Sequence, residues 1–164
     1  MSTIKNKTLQ TIEILNIVAF LNEAIESKKI DELGIKARWA IKKSLKELHE
    51  VDSKFKEFKE ELESGLKDAY FMNDEKSETT KLIQKDENGQ DVEVDGRKIK
   101  AEFMAEYNQA LEDINAKLRE VLFDDNEVAI NVFDVDNEID KLSDDTKFTF
   151  EDLEMLSVFD KEDA

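Results

Sequence analysis

The feature that most constrains the fold is a stretch from residue 35 to residue 70 whose apolar side chains recur at helical spacing. From Ile41 onward they follow one another by three, four or seven residues, which keeps them on one narrow stripe of an α-helix. Little in the stretch interrupts a helix, because the whole sequence has no proline and only four glycines. The apolar positions are Ile35, Trp39, Ile41, Leu45, Leu48, Phe55, Phe58, Leu62, Leu66 and Tyr70. A helix this long needs a packing partner, and we expect an antiparallel one.

A second helix over residues 97–122 is predicted to be that partner. Its apolar positions step by three or four residues and are Ile99, Phe103, Tyr107, Leu111, Ile114, Leu118 and Val121. Residues 71–96, between the two helices, contain the turn pairs Asn88–Gly89 and Asp95–Gly96. This region therefore forms either a small β-hairpin at the tip of the helical pair or a mobile loop.

Three further elements follow from local patterns. Apolar residues at helical spacing predict a first helix over residues 8–27. Alternating apolar residues predict an extended segment over residues 128–136, which must pair with another strand, and residues 92–94 are the candidate. Thr149 followed by Asp152 forms a capping-box pattern, which predicts a C-terminal helix over residues 150–159.

Together these patterns predict a mainly α protein with one domain over residues 1–164. A long antiparallel helical hairpin forms its centre. An additional N-terminal helix packs on the hairpin, and a small β element and a short C-terminal helix complete the fold. The chain is long enough for this domain to bury a modest core.

The charge of the chain is strongly negative and unevenly distributed. With 24 Lys and Arg against 41 Asp and Glu, the net charge is −17, which opposes direct binding of nucleic acid or of an anionic membrane surface. Residues 28–59 are nevertheless basic, so this section of the long helix could meet acidic C-terminal residues, either within one chain or between protomers. No apolar run approaches the ~18 residues of a membrane-spanning helix. We expect a soluble protein of the cytoplasm of the host cell.

The sequence offers little catalytic or metal-binding chemistry. It has no cysteine and one histidine, so it lacks a thiolate site and a histidine metal triad. The acidic run that starts at Asp134 suggests a calcium loop, but Ile139 and Asp145 stand where such a loop needs glycine and glutamate. Phosphate-loop, dinucleotide and nucleophile-elbow motifs are also absent. We expect neither an enzyme nor a protein with a cofactor or a bound metal.

Three stretches of the sequence carry a resemblance to a known group of proteins. They are the basic start of the long helix, GIKARWAIKKSLKELHE, the turn KDENGQ, and the acidic ending FTFEDLEML. With the order of the elements, they resemble short acidic helical proteins of unknown function encoded by phages and prophages of Gram-positive bacteria. The resemblance covers most of the chain. It implies a phage origin and supplies no catalytic residues.

The functional expectation is therefore a phage accessory protein, such as a virion-assembly factor or chaperone, that binds another protein and could also form a homo-oligomer. The alternative is an anti-defence inhibitor whose acidic surface imitates DNA and blocks a host nuclease or DNA-binding protein. The C-terminal segment either docks on its own chain, which is favoured, or serves as a helical ligand for a partner. The candidate partner-binding residues are Trp39, Phe55, Phe58, Asp134, Asp136, Glu138, Asp140, Phe150, Leu153, Leu156 and Phe159.

Overall fold

The computed structural model describes residues 3–161. The elements are β1 (Thr3–Gln10), α1 (Thr11–Glu26), α2 (Ile35–Tyr70), β2 (Ser77–Lys85), β3 (Asp91–Ile99), α3 (Met104–Leu122), β4 (Asp125–Val132), α4 (Val135–Asp140) and α5 (Phe150–Leu156). Short 3-10 turns cover Lys29–Glu32, Ala101–Phe103 and Ser157–Phe159. Of the described residues, 59% are helical and 23% lie in strands, the latter in two small antiparallel sheets, which confirms the mainly α class.

The long helix α2 spans the range that its apolar stripe predicts, Ile35–Tyr70. The burial of that stripe changes along the helix. Ile41 and Leu48 are fully buried, whereas the apolar residues from Phe55 to Leu66 are only half-buried. The distal part of the stripe therefore keeps apolar surface in contact with water.

The contacts of the chain divide it into two compact units. The first unit contains the described residues up to 55 and from 121 onward, and the second contains residues 56–120. The helix α2 contributes to both units without interruption. The sequence predicts one domain over residues 1–164, and that expectation stays a prediction.

The core of the first unit is built around α1. Ile14, Val18 and Leu21 are each at most 1% exposed and line the buried face of this helix. They belong to one apolar cluster with Ile130 of β4 and Phe159 of the C-terminal turn, both of which are fully buried. The core thus joins segments from the start, the middle and the end of the chain.

The strand β1, Thr3–Gln10, is not predicted by any pattern in the sequence. β1 pairs antiparallel with β4 over its whole length. The first helix therefore begins at Thr11, later than the predicted residue 8. The expected partner of the extended segment, residues 92–94, pairs instead within the hairpin of the second unit. The predicted extended segment over residues 128–136 also ends early, because β4 stops at Val132 and a helix follows.

Two lysines explain why β1 lacks the alternating apolar pattern of a half-buried strand. Lys5 and Lys7 lie on the face of the sheet that carries the buried residues of β4. Lys7 Nζ donates a hydrogen bond to the carbonyl of Val158 at 2.6 Å. Lys5 Nζ donates to the carbonyl of Lys161. The aliphatic stems of these lysines cover apolar surface while their charged ends bind carbonyl groups, so a polar sequence forms a half-buried face.

The acidic residues after β4 form the short helix α4 and not an extended connector. Asp134 is the N-cap, and its carboxylate accepts a hydrogen bond from the backbone N–H of Asn137 at 3.1 Å. This bond, together with the ammonium group of Lys161 at 3.4 Å, holds the pKa of Asp134 below its usual range. Aspartate is one of the preferred N-cap residues, so Asp134 is the sequence signal for this helix start.

The C-terminal segment is docked on the first unit. α5 begins with the predicted capping box, in which Thr149 and Asp152 each accept a hydrogen bond from the backbone N–H of the other. The turn Ser157–Phe159 continues α5, so helical structure covers the predicted range 150–159. After this turn, the chain forms a parallel bridge with Phe133 at the end of β4.

The second unit contains an ordered β-hairpin, the first of the two alternatives for residues 71–96. β2 and β3 pair antiparallel in full register. Gly89 in the connecting turn has a φ of 76°, the left-handed conformation that an Asn–Gly pair supplies at low cost. The carboxylate of Asp86 accepts hydrogen bonds from the backbone N–H groups of Asn88 and Gln90, each at 2.9 Å, and fixes the turn.

The helix α3 begins at Met104, although its apolar spacing predicts a start at Arg97. Residues 97–99 belong to β3, where Ile99 is 8% exposed. The 3-10 turn Ala101–Phe103 then leads into α3. Ile99 and Phe103 are four residues apart, so the helical pattern continues by coincidence across a strand end and a turn.

Candidate protein-binding surfaces

The candidate residues of the C-terminal segment are divided between core and surface. Leu156 and Phe159 are 2% and 0% exposed and belong to the core of the first unit. Leu153 packs against that core and is half-buried. Phe150, by contrast, is 76% exposed. The segment therefore packs against the first unit. Of these four side chains, only that of Phe150 is exposed.

The acidic candidates are likewise divided. Asp134 caps α4, and Glu138 Oε2 accepts a hydrogen bond from the backbone N–H of Gly34 at 2.9 Å. These two carboxylates therefore hold the local fold. Asp136 and Asp140 are exposed on α4.

Trp39 is the exposed aromatic residue at the start of α2, with 57% of its surface accessible, and Ile35 one turn before it is 75% exposed. Two concavities flank the ring. One, of about 220 Å³, includes Arg38 in its lining, and the other, of about 450 Å³, includes Phe133. We call the exposed patch formed by Ile35, Lys36, Trp39, Lys42 and Lys43 the Trp39 surface. It lies entirely within the first unit.

The Trp39 surface is positively charged. Lys43 Nζ lies 5.3 Å from the centre of the Trp39 ring, a cation–π contact. Within residues 3–161, Lys36, Lys42 and Lys43 form no ion pair with a carboxylate. Arg38, by contrast, forms an ion pair: its Nη1 atom lies 3.7 Å from Oδ1 of Asp31. Apolar and cationic groups thus meet at one exposed patch of an otherwise acidic molecule.

The second unit has an apolar groove. Leu66 lies near the end of α2, Phe71 directly follows that helix, and Tyr107 and Leu111 lie on α3. Together with Met72, which is 60% exposed, these four residues line a concavity of about 570 Å³, and we call it the apolar groove. Tyr107 makes edge contacts with the rings of Tyr70 and Phe71, at 5.5 and 5.6 Å between centroids.

The rim of the apolar groove carries the polar side chains of Glu63, Lys67 and Arg97. The guanidinium group of Arg97 is already engaged, because it donates to the carbonyl of Phe71 at 2.5 Å and to Asp74 at 2.7 Å. Arg97 therefore shapes the rim through its Nε and Nη2 groups, which are bound within the protein. The groove suits apolar side chains framed by charges.

The candidate residues predicted from the sequence include the exposed Trp39 but none of the residues that line the apolar groove. Phe55 and Phe58, the other aromatic candidates on α2, are half-buried and line neither the groove nor the Trp39 surface. The available signal was the run Tyr70–Phe71–Met72 at the end of the long helix. Three large apolar residues in succession exceed what one helical stripe can bury, so at least one must face another surface.

No protein-family model, curated protein or solved structure matches this chain. Across the described residues 3–161, none of the helices is both long and apolar enough to span a membrane. In the same range, no three His, Asp or Glu side chains are arranged so that they could hold a metal ion.

Proposed function

We propose that this chain is a non-enzymatic phage accessory protein of the host cytoplasm that binds a helical segment of another protein, as an assembly factor or chaperone for a virion component. The observation that carries the proposal is the apolar groove. The phage origin rests on the resemblance of the basic helix start, the turn and the acidic ending. The proposed protein-binding activity rests on the groove itself, because an exposed apolar concavity with a charged rim is typical of protein-binding sites.

The lining of the groove favours a helix over a small polar ligand. A small-molecule site usually combines an apolar pocket with a few convergent polar groups. Here the Nε and Nη2 groups of Arg97 are bound to Phe71 and Asp74, and the other lining residues between Leu66 and Leu111 are mainly apolar. An amphipathic helix would place apolar side chains, one helical turn apart, into such a groove. Its polar residues would meet Glu63 and Lys67 at the rim.

The proposal includes a specific arrangement of the second unit. We take the distal part of α2 and the helix α3 as an antiparallel pair whose apolar stripes form the two walls of the groove. The contacts of Tyr107 with Tyr70 and Phe71 support this arrangement, because they bring side chains of α3 against the end of α2. Phe58 and Leu62 continue the stripe on α2 and are half-buried. A long partner helix would extend onto them.

Affinity capture with matched variants tests the proposal. The tagged wild-type chain, Met72→Glu and Met104→Glu are used to capture proteins from phage-infected Gram-positive cells at low and at high salt. Met72 lines the groove, whereas Met104 is an exposed methionine, 40% accessible, that does not. We expect virion proteins to be captured by the wild type and by Met104→Glu at both salt concentrations, and to be lost with Met72→Glu. Capture of the same proteins by Met72→Glu would contradict the proposal.

A second candidate function is inhibition of a host nuclease or DNA-binding protein by the acidic surface. The observation that favours it is the exposure of Asp136, Asp140, Asp144 and Asp145 within a short segment of the first unit. Binding of this kind weakens steeply with salt, because exposed charges are screened. Replacing all four aspartates by asparagine should abolish capture of such a partner at low salt. Unchanged inhibition by that variant would exclude the acidic segment as a decoy.

A further inference from the structure

The Trp39 surface combines a positive charge, which is unusual for this molecule, with an exposed tryptophan. The chain carries a net charge of −17, yet the exposed face around Trp39 presents cations. Trp39 is also the one tryptophan of the sequence, and more than half of its surface, 57%, is in contact with water. Tryptophan is enriched at the centres of protein interfaces, where its large ring is covered by a partner.

The positive charges at the start of α2 are not explained by a contribution to the stability of that helix. The first turn of α2 contains no acidic residue, and Lys36 and Arg38 lie close to its start. The N-terminus of a helix carries a partial positive charge, so cations there oppose the helix dipole. Since Lys36, Lys42 and Lys43 also form no ion pair within residues 3–161, their charges are free to meet an acidic ligand.

The same chain contains a segment with complementary properties. In the hairpin of β2 and β3, every residue from 81 to 93 is exposed. Ile83 is 74% and Val92 is 40% exposed, so the hairpin presents apolar side chains to water. Acidic residues surround them, at Asp86, Glu87, Asp91, Glu93 and Asp95. A two-stranded hairpin is marginally stable by itself, and contact with another surface would stabilise it.

We propose that the Trp39 surface binds the β2–β3 hairpin of a second copy of this chain. The register pairs Ile83 with Glu93 on one face of the hairpin, whereas Val92 pairs with Gln84 on the other face. The aliphatic side chain of Ile83 would therefore cover the ring of Trp39. The carboxylates of Glu87 and Glu93 would meet the ammonium groups of Lys36 and Lys43. Unlike charges would fix the orientation, and the burial of Trp39 would supply the apolar centre of the interface.

A hairpin fits this surface better than a nucleic acid does. Double-stranded DNA carries a charge about every 1.7 Å over a long distance, so it would extend beyond the cationic patch and meet the acidic remainder of the molecule. At about 0.15 M salt the screening length is about 8 Å, which confines attraction to the patch itself. A compact segment that carries both carboxylates and aliphatic groups uses that short range and also covers the indole ring.

Charge reversal in pairs provides the test. The surface variant is Lys36→Glu with Lys43→Glu, and the hairpin variant is Glu87→Lys with Glu93→Lys. The hairpin variant leaves the cross-strand ion pairs Lys81–Asp95 and Lys85–Asp91 in place. Matched controls carry the same charge changes at exposed residues elsewhere, as Lys117→Glu with Lys147→Glu and as Glu112→Lys with Glu120→Lys. Circular dichroism establishes that each variant is folded.

Sedimentation gives the mass, and Trp39 emission reports burial of the ring at the interface. At about 0.15 M salt, we expect the wild type and both controls to associate as concentration rises, with a blue shift of the emission. Each reversal variant alone should dissociate at least tenfold more easily, because like charges then face each other. Mixing the two reversal variants should restore association and the blue shift.

Four outcomes would overturn the proposal. One is a wild-type chain that stays monomeric with unchanged Trp39 emission up to millimolar concentration. Another is association of either reversal variant as strong as that of its control. The third is a mixture of the two reversal variants that stays monomeric. Emission that shifts only on addition of a double-stranded oligonucleotide would also overturn the proposal, in favour of nucleic acid as the occupant.

Discussion

At the scale of single residues, Ser44 links α2 to β4 through a buried hydroxyl group. Its side chain is 0% exposed, and Oγ accepts a hydrogen bond from the backbone N–H of Asn131 at 2.8 Å. The same hydroxyl donates to the carbonyl of Ala40 at 2.9 Å. A buried N–H that loses its acceptor cannot form a replacement bond with water. Removing the hydroxyl of Ser44 should therefore lower the free energy of unfolding by more than its small volume suggests.

We therefore expect Ser44→Ala to lower the free energy of unfolding by about 1–3 kcal/mol. Alanine fits the space but leaves the N–H of Asn131 without its acceptor. The matched control is Ser64→Ala, which removes an exposed hydroxyl from the same helix and should change stability by less than about 0.5 kcal/mol. Chemical denaturation measures both values. Equal effects of the two substitutions would show that the bond to Asn131 contributes nothing.

The two ends of the C-terminal helical segment are predicted to differ sharply in their effect on stability. Phe159 is 0% exposed and Phe150 is 76% exposed. Phe159→Ala removes a fully buried ring and should cost about 3–5 kcal/mol. Phe150→Ala should stay within about 0.5 kcal/mol. Thermal unfolding checks both, and a large loss with Phe150→Ala would mean that its ring is buried in solution.

At the scale of the elements, α5 is held by a carboxylate that also binds a lysine. Asp152 lies 3.1 Å from Lys29 Nζ and accepts a hydrogen bond from the backbone N–H of Thr149 at 2.9 Å. Partial burial of Asp152 raises the pKa of its carboxyl group. The bond from Thr149 and the ammonium group of Lys29 outweigh that effect, so the pKa of Asp152 lies below its usual range.

The lowered pKa of Asp152 determines how its contribution to stability depends on pH. A group whose pKa is lower in the folded state stabilises the protein above its unfolded pKa, and the stabilisation is lost as pH falls through the folded value. We expect Asp152→Asn to be less stable than the wild type at pH 7. The difference should shrink as pH falls below about 4, where the wild-type carboxyl group becomes protonated. The control Glu151→Gln, at an exposed neighbour, should show no such convergence. A difference that does not depend on pH would contradict the assigned role.

Elements with local signals could be predicted from the sequence. The stripe of α2, the capping box of Thr149 and Asp152, and the Asn88–Gly89 turn each act within a few residues, and the structure contains all three. β1 could not be predicted, because its core-facing lysines are stabilised by carbonyl groups more than 150 positions away, as the bond from Lys7 to Val158 shows. Contacts between residues so far apart in the sequence leave no local pattern.

The candidate sites show the same limit. A helical stripe indicates which residues share a face, but not whether another element covers that face. Trp39 and Leu156 are both large apolar residues at helical spacing, yet one is 57% exposed and the other 2%. The difference arises from tertiary packing: Leu156 lies in the core cluster around α1, whereas Trp39 lies outside it.

At the scale of the whole molecule, α2 bears on whether the two compact units unfold together. It runs without interruption through residues that belong to both compact units. Helix propagation is cooperative, so unfolding of one part of the helix should weaken the other. We expect the units to unfold in one transition, in agreement with the single domain that the sequence predicts.

This prediction is tested by a substitution in the second unit whose effect on unfolding is measured by a probe in the first unit. Ile99 belongs to the second unit and is 8% exposed, so Ile99→Ala should cost about 2–5 kcal/mol. Trp39 lies in the first unit and is the one tryptophan of the chain, so its emission reports unfolding there. If the units are coupled, Ile99→Ala shifts the Trp39 transition as much as the transition seen by circular dichroism, because a two-state protein gives coincident curves for all probes. A Trp39 transition that stays in place while circular dichroism shows an earlier one would mean that α2 unfolds in two parts and that the units are independent domains.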